Sequence, residues 1–555
     1  MEKLKNNPQL RRVLGTLVLP LLVLGLGAVL TLYYILGPAE GYMTSDCTDS
    51  LRWAQATFES GRLISDNFHY AAILPFGGNI IFLPFIAIFG YSMTAQLCGL
   101  ALFALLFIAA LYYLATGLGY SRLTSAAMVS VTLMIMSSSA KLREIMWEHI
   151  FYYNLGLLFF CFGFGLALRI LRRDGPADDL GAARPHDWVR VGILAVFSLI
   201  AATDGLQTLV CFTLPLLCGI FVDRFFNEDR LLCRRNVNTA LLLLLVLACS
   251  ALGFVLIVPL SHGVSAGYAD AYSAYSAMSG WTDNLLGFFE NWLSLLGVSV
   301  ASGDPLVSLA SIVNMIRIFG GIILLVAPVV LACRFNKIKS PAVRAVLVGH
   351  FAVSAFILFA VTFGKLGGAN WRLVPMLGTS VIASFMTAIE LIDAKKLAAR
   401  VGALLLAFLI LMGCVTAVEI SRMPADYGEG NSWHAVADEL TARGLKYGYA
   451  NFWWAESVTM ISDGKLVVAN LYAGTRTPTK YNYQQPADSY DDRPDADGYF
   501  LLLTESENDS MAQWLNVQRA QGKIREEFTV GGEPYNLRGY VGSSMYVYVF
   551  YENIF

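Results

Sequence analysis

Apolar runs of roughly 20 residues, the length an α-helix needs to cross a bilayer, begin near Val13, Met93, Thr124, Ile150, Val189, Leu206, Val237, Leu309, Val343, Leu373 and Val401. They predict about eleven transmembrane helices. A further apolar piece, PFGGNIIFLPFIAIFG from Pro75 to Gly90, is rich in proline and glycine and suits a bent, interfacial or re-entrant segment that does not cross. After about Ser421 the pattern changes to polar and apolar residues mixed as in globular domains. There the periodicity predicts helices over 433–445 and 509–521, strands over 466–471, 499–503 and 546–551, and a loop over the Pro- and Tyr-rich stretch 477–494. The expected architecture is therefore a polytopic all-α membrane domain over residues 1–420 followed by a small α/β domain over residues 421–555.

Composition agrees with a chain whose solvent is the bilayer. Hydrophobic residues make up 56% and charged residues only 14%, unlike a soluble globular domain. A net charge of -2 gives no nucleic-acid surface. The nine cysteines fall mostly in apolar runs, with Cys47 alone in the first loop, so neither a disulfide framework nor a CxxC metal site is indicated. The first run follows Lys3, Lys5, Arg11 and Arg12 and is too long for a signal-peptide core, so it reads as an uncleaved span. The other basic stretches are 172–190, 224–235, 334–339 and 395–400. By the positive-inside rule all lie on one side if 75–90 does not cross, which puts the N-terminus in the cytoplasm and the 421–555 domain outside. The expected location is a multi-pass cell membrane protein of the cell envelope.

The same parity places outside the loop SDCTDSLRWAQATFESG, the loop KLREIMWEHIFYYN and the loop GKLGGANWRLVP. The first carries Asp46 and Asp49, with Arg52 and Trp53 close behind. The second carries Glu144, Glu148 and His149, and the third Lys365 and Arg372. An acidic centre flanked by cations at a membrane face suits a reaction on a lipid-linked phosphate: a carboxylate takes a proton from an acceptor hydroxyl while a metal or an arginine neutralises the departing phosphate. Asp204 in "TDG" reads as a turn residue, and Arg317 as a side chain snorkelling outward from its span. The amphipathic stretch GWTDNLLGFFENWLSLLGV either rests on the outer leaflet or roofs a cavity. Trp453 and Trp454 are either core or a surface on which a sugar stacks. No GxxxxGK[ST] or HExxH string occurs.

The order of a span, an acidic first loop, the Ser60-Gly61 turn, an apolar Pro-rich piece, "FG" and a new span resembles the GT-C membrane glycosyltransferases, among them protein O-mannosyltransferases and bacterial aminoarabinose transferases. The similarity is best over the first 175 residues, and "YGYANFWWAESVTMISDGKLVV" also looks like the tail of bacterial members. The resemblance implies transfer of a hexosyl or pentosyl group from a polyprenyl-phosphate donor to an extracytoplasmic acceptor, a wall polymer, glycolipid or protein. A carboxylate in the first outer loop would act as base, with inversion in a single displacement. By spacing to Ser60-Gly61 the catalytic acid is Asp46; by the local Asp-x-x-Arg-aromatic-Ala string it is Asp49. Glu148 occupies the place of a second-loop acid, and with His149 and Asp46 it is the expected ligand set for a divalent metal, Mg or Mn; capping of the next span is the alternative for both. Arg372, three residues before Pro375, resembles the late-loop arginine on the donor phosphate, its alternative being an interface anchor. The chain departs from the aminoarabinose transferases in having AAILPFGG where they have a Lys-Pro-Pro step, so that phosphate contact is either missing or replaced by His69, Arg62 or Lys365, with Arg52 a further candidate. The Asp-Glu pair of the mannosyltransferases is absent too, since Cys47 follows Asp46 and Ser50 follows Asp49. Readings from other classes are a lipid-linked saccharide flippase and a membrane-anchored binding or assembly protein.

Overall fold

The computed structural model describes residues 13–171, 185–225, 234–261, 263–264, 272–394, 397–426, 428, 431–531 and 545–555. The basic residues Lys3, Lys5, Arg11 and Arg12, most of 172–190 and 224–235, and Lys395 lie outside the described residues.

Among the described residues, nine helices are long and apolar enough to cross a membrane: Leu14–Leu36, Met93–Gly117, Tyr152–Leu171, Leu206–Phe225, Asn236–Ser261, Leu309–Ala332, Pro341–Phe363, Asn370–Ile392 and Leu397–Ser421. The remaining two expected spans are special cases. Arg122–Ile135 is followed by Ala140–Glu148 after a bend of 115°, and the piece Trp188–Ala202 is a shorter apolar helix. The chain is thus a multi-pass membrane protein. Serine caps start several of these helices: the hydroxyls of Ser92, Ser121, Ser308 and Ser340 accept from the amides of Ala95, Thr124, Ser311 and Val343. In lipid, helices gain little from hydrophobicity against one another and must pack closely. Gly219 permits this approach, since a Cβ there would collide with the carbonyl of Ala345.

Four elements surround the first loop. The loop itself is a helix, Ser45–Ser60, which ends at Gly61 in the left-handed region (φ 66°) with its amide on the Thr57 carbonyl. The Ser60-Gly61 turn is therefore a helix stop that needs glycine. The segment Pro75–Ile80 is a π-helical turn leading into the short helix Ile81–Phe89, too short to cross, as its prolines and glycines predict. It is held under the first loop by Asn79, whose side-chain amide donates to the Trp53 carbonyl (3.2 Å), the Thr57 hydroxyl (2.7 Å) and the Leu63 carbonyl (3.0 Å). Asp204 closes the other end: its carboxylate accepts from the Phe76 amide at 3.1 Å, and it is buried. Burial raises its pKa to about 8 against the lowering effect of the Phe76 and Gly77 amides. The amphipathic stretch forms the helix Trp281–Leu295, which buries Phe288, Trp292 and Leu295. It holds the late outer loop through Asn291, which donates to the Gly367 carbonyl at 3.1 Å.

Arg317 is paired as well as near the surface. Its guanidinium donates to both carboxylate oxygens of Glu419 (2.7 and 2.8 Å) and to the Ser138 carbonyl (2.7 Å), so it joins three elements.

The chain after Ser421 forms a five-stranded sheet. With β1 (Phe68–His69) counted first, its strands are β2 (Tyr447–Asn451), β3 (Val467–Leu471), β5 (Tyr499–Leu503), β6 (Ile524–Val530) and β7 (Met545–Phe550), in the order β3-β2-β5-β7-β6. β2 pairs in parallel with β3 and β5, while β7 runs antiparallel to β5 and β6. Three predicted strands and the helices Ser432–Ala442 and Glu505–Ala520 lie where the pattern put them, within a few residues. β2, the helix Phe452–Ile461 and β6 were not predicted. The stretch 477–494 is largely loop, but contains β4 (Gln485–Pro486), which pairs antiparallel with β1. Apolar side chains of the spans, the first outer helix and the sheet form one continuous core.

Candidate active site

Asp46 lies in the first turn of the helix Ser45–Ser60 and Asp49 one turn on. Both line a cavity of about 530 Å³ between the ends of the spans and the sheet. The two acids differ in environment. Asp46 is half-buried in a helical first turn, where the helix dipole favours negative charge. Asp49 is buried, and burial, then the charges of Asp46 and Glu456, push its pKa well above the usual carboxylate range. The two acids of the pair therefore sit in different electrostatic environments.

The second outer loop contributes Lys141, Glu144 and His149 to the same cavity. Lys141 pairs with Glu144 at 2.7 Å, and its ammonium lies 4.8 Å from the ring centroid of Trp371. The loop is stitched to the first outer helix by Ser50, which donates to the Ile150 carbonyl at 2.7 Å, and by Gln96, which donates to the carbonyls of Cys47 (2.7 Å) and Glu148 (3.3 Å).

Glu148 is fully buried and does not line the cavity: Tyr34 donates its hydroxyl to one carboxylate oxygen, and the Cys47 thiol approaches the other at 3.8 Å. His149 turns Nδ1 to the Asp46 carbonyl at 3.3 Å. Among the described residues no group of three or more His, Cys, Asp and Glu side chains is placed to hold a metal ion. Asp46, Glu148 and His149 as arranged do not fit the Mg or Mn expected from the sequence, and no chemical step below runs through a metal.

The five cations expected on a donor phosphate are dispersed, and none lines the cavity; Arg62 is exposed and pairs with Asp66. Arg52 is buried in an ion pair with Glu456 at 2.7 Å. His69 lies in β1, paired with Gln485. Lys365 is exposed, and its carbonyl accepts from Arg372 at 3.0 Å. Arg372 stands directly behind the cavity wall: its guanidinium packs 4.4 Å from the ring centroid of Tyr272, and its neighbour Trp371 is a wall residue, as Tyr272 is.

Several wall and support residues escaped the sequence reading. Glu456 and Gln484 are fully buried. Gln484 is held at φ 56° by its own backbone bond to the His69 carbonyl (2.8 Å), and its side-chain oxygen accepts from Trp53 (2.7 Å) and the Ala71 amide (3.2 Å). Such a left-handed glutamine persists only where its surroundings fix it. Nothing local in "YNYQQPAD" marks it, because its partners lie more than four hundred residues away. A better signal was available for Asn451 and Leu471, which line the cavity from the carboxyl ends of the parallel strands β2 and β3. β2 has β3 on one side and β5 on the other, a topological switch point, where open α/β sheets place ligands.

This arrangement extends over nearly the whole length of a solved structure. The aminoarabinose transferase ArnT from Cupriavidus metallidurans in the apo state superposes with a TM-score of 0.54 at 13% identity, covering 97% of this chain and 98% of that one. The fold is of the GT-C type. The same ArnT bound to undecaprenyl phosphate gives a TM-score of 0.52 at 12% identity, again over 97% and 98%. An oligosaccharyltransferase from Archaeoglobus fulgidus matches at a TM-score of 0.48 and 14% identity, over 81% of this chain and 62% of that one. No protein-family model and no curated protein sequence matches the chain.

Proposed function

We propose that this GT-C chain is an integral-membrane glycosyltransferase that moves a sugar from a polyprenyl-phosphate donor to the hydroxyl of an extracytoplasmic acceptor. The observation that carries the reading is the sharing of one cavity by Asp46, Asp49 and Lys141 beneath the C-terminal sheet. The ArnT structure holding undecaprenyl phosphate adds support for a lipid-linked donor.

In this reading Asp46 is the general base. It takes the proton from the acceptor hydroxyl as that oxygen bonds to the anomeric carbon and the bond from that carbon to the phosphate oxygen breaks. A single displacement without a sugar-enzyme intermediate inverts the anomeric configuration. Asp49, whose burial disfavours its charged form, stands beside it, and Arg52 positions the helix through Glu456. Lys141 from within the cavity, with Arg372 behind its Tyr272 wall, would neutralise the departing phosphate. Residues 421–555 act as an extracytoplasmic domain over residues 1–420, with the N-terminus cytoplasmic.

Incubation of the purified protein with a labelled polyprenyl-phosphate sugar and candidate acceptors tests the activity. Acceptor-dependent release of free polyprenyl phosphate, with an inverted linkage in the product, is expected; donor that stays intact with every acceptor would remove the reading. For the orientation, a cysteine replacing the exposed Asp492 in a cysteine-free background should react with an impermeant reagent from the outside only.

A further inference from the structure

The two halves of the cavity differ in chemistry. Among the described residues, every charged side chain lining it, Asp46, Asp49, Lys141 and Glu144, comes from the membrane-side loops, as does His149. Among the described residues the half contributed after residue 430 presents no charged side chain, only aromatic, apolar and neutral polar groups.

Within that neutral half five rings form a continuous strip. Tyr472 meets Tyr481 edge-on at 4.6 Å between centroids, Tyr481 stacks on Tyr483 at 5.1 Å, Tyr483 meets Phe452 edge-on at 5.0 Å, and Phe452 meets Trp453 at 5.3 Å. All five line the cavity, and the two ends of the strip are open, Tyr472 at 55% exposure and Trp453 at 44%. Large rings left this exposed are not explained by packing of a core.

The strip is also built to a fixed distance from the acids. Ser45, adjacent to Asp46, lies with its hydroxyl 3.2 Å from that of Ser457 and accepts from the Ser457 amide at 3.2 Å. Trp453 is one helical turn before Ser457, and its amide is capped by Asn451, whose side-chain amide is held by Glu507 at 2.8 Å. The start of the acidic helix and the start of the aromatic helix are therefore joined. The strip and Asp46 therefore face one cavity.

We propose that this strip is the acceptor site and that the acceptor is a neutral saccharide chain. This rests on the transferase reading and narrows it. Pyranose rings have flat C–H faces that pack on aromatic rings and edges that carry hydroxyls, and they bring no charge to desolvate against a neutral wall. Several rings in line suit more than one sugar unit. An acidic or phosphorylated acceptor would find no cation on this wall, and its charge would lie against the acids of the other half.

The test uses the full-length protein in lipid nanodiscs, with binding measured calorimetrically for neutral hexose oligosaccharides, a serine-rich peptide and phosphatidylglycerol vesicles. Neutral oligosaccharides are expected to bind. Trp453→Ala and Tyr472→Ala should each weaken that binding about 3- to 10-fold, the range of one aromatic contact. Trp453→Phe, which keeps a flat ring, should recover part of the loss, and Tyr551→Ala, an exposed tyrosine at the far end of β7, should behave as wild type. Wild-type affinity in both alanine variants, no binding of neutral saccharides, or binding of the peptide or vesicles alone overturns the proposal. Because binding is read without turnover, the two readings fail separately. Saccharide binding sensitive to Trp453 without any polyprenyl phosphate release removes the transferase reading, whereas acceptor-dependent release with an unchanged acceptor KM in the alanine variants removes the strip.

Discussion

Arg52 and Glu456 are 404 residues apart in the chain, yet the guanidinium of one donates to the carboxylate of the other at 2.7 Å, with the Glu456 side chain fully buried. Arg52 is on the helix that carries both acids, and Glu456 on the helix that carries Trp453. The bond thus fixes the acidic helix to the C-terminal layer, and charge placed so deep is expensive to leave alone.

Removing one partner of a buried ion pair leaves the other uncompensated, at a cost of about 3–5 kcal/mol. Glu456→Leu is expected to lower the unfolding midpoint by that order in a denaturant titration, and Arg52→Met added to it should restore much of the loss. An unchanged midpoint in Glu456→Leu would mean that the pair contributes nothing.

The same buried group makes stability depend on pH. Burial is the largest influence on Glu456 and raises it to about 7, with Arg52 only partly offsetting it; Asp49 is raised as well. Folded protein therefore holds protons that the unfolded chain, with carboxyl groups near 4, has released. This contribution is fully present below about pH 4 and is lost as pH rises through about 7. Asp204, at about 8, acts in the same direction. Thermal midpoints measured from pH 5 to pH 8 should fall across this interval, and less steeply in Glu456→Gln; an equal slope in that variant would assign the effect elsewhere.

Asp46→Asn removes the basic oxygen but keeps the shape. Turnover should fall about 10²- to 10⁴-fold, with the unfolding midpoint little changed. Asp49→Asn resembles the protonated acid that burial favours, and should retain far more activity. The decisive comparison is turnover of both at matched expression: a dead Asp49→Asn beside an active Asp46→Asn would exchange their roles, and two active variants would remove the transferase mechanism.

Arg372→Ala should raise the donor KM strongly if the guanidinium behind Tyr272 reaches the donor phosphate. Arg372→Lys should rescue only in part, because a point charge lacks the planar fork and packs differently on the tyrosine ring. A wild-type donor KM in the alanine variant would leave Arg372 as the brace of the late loop through the Lys365 carbonyl.

Local pattern in the sequence determined the spans, the break at Pro75, the helix stop at Gly61 and the change of character near Ser421. Each depends on neighbours within a few residues: twenty apolar side chains that must leave water, a proline that cannot donate, a glycine that tolerates φ 66°. Asp46 and Asp49 were legible as a pair for the same reason. Their separation into a half-buried and a buried acid was not, since it is set by tertiary packing, with the charge of Glu456, from the far end of the chain, adding to the effect of burial on Asp49. Likewise the charge pattern marked Arg52 as a cation beside acids, but only the fold gave its ion pair to Glu456, and only the fold turned Glu148 away toward Tyr34. The aromatic strip shows the same limit: in sequence Trp453 reads as either core or a stacking surface and Tyr483 falls in a stretch read as loop, and only the tertiary structure gathers these rings into the cavity where the parallel strands β2 and β3 end, with the acids on its other side. Periodicity records which side chains avoid water. Which partner each one meets depends on contacts between segments hundreds of residues apart.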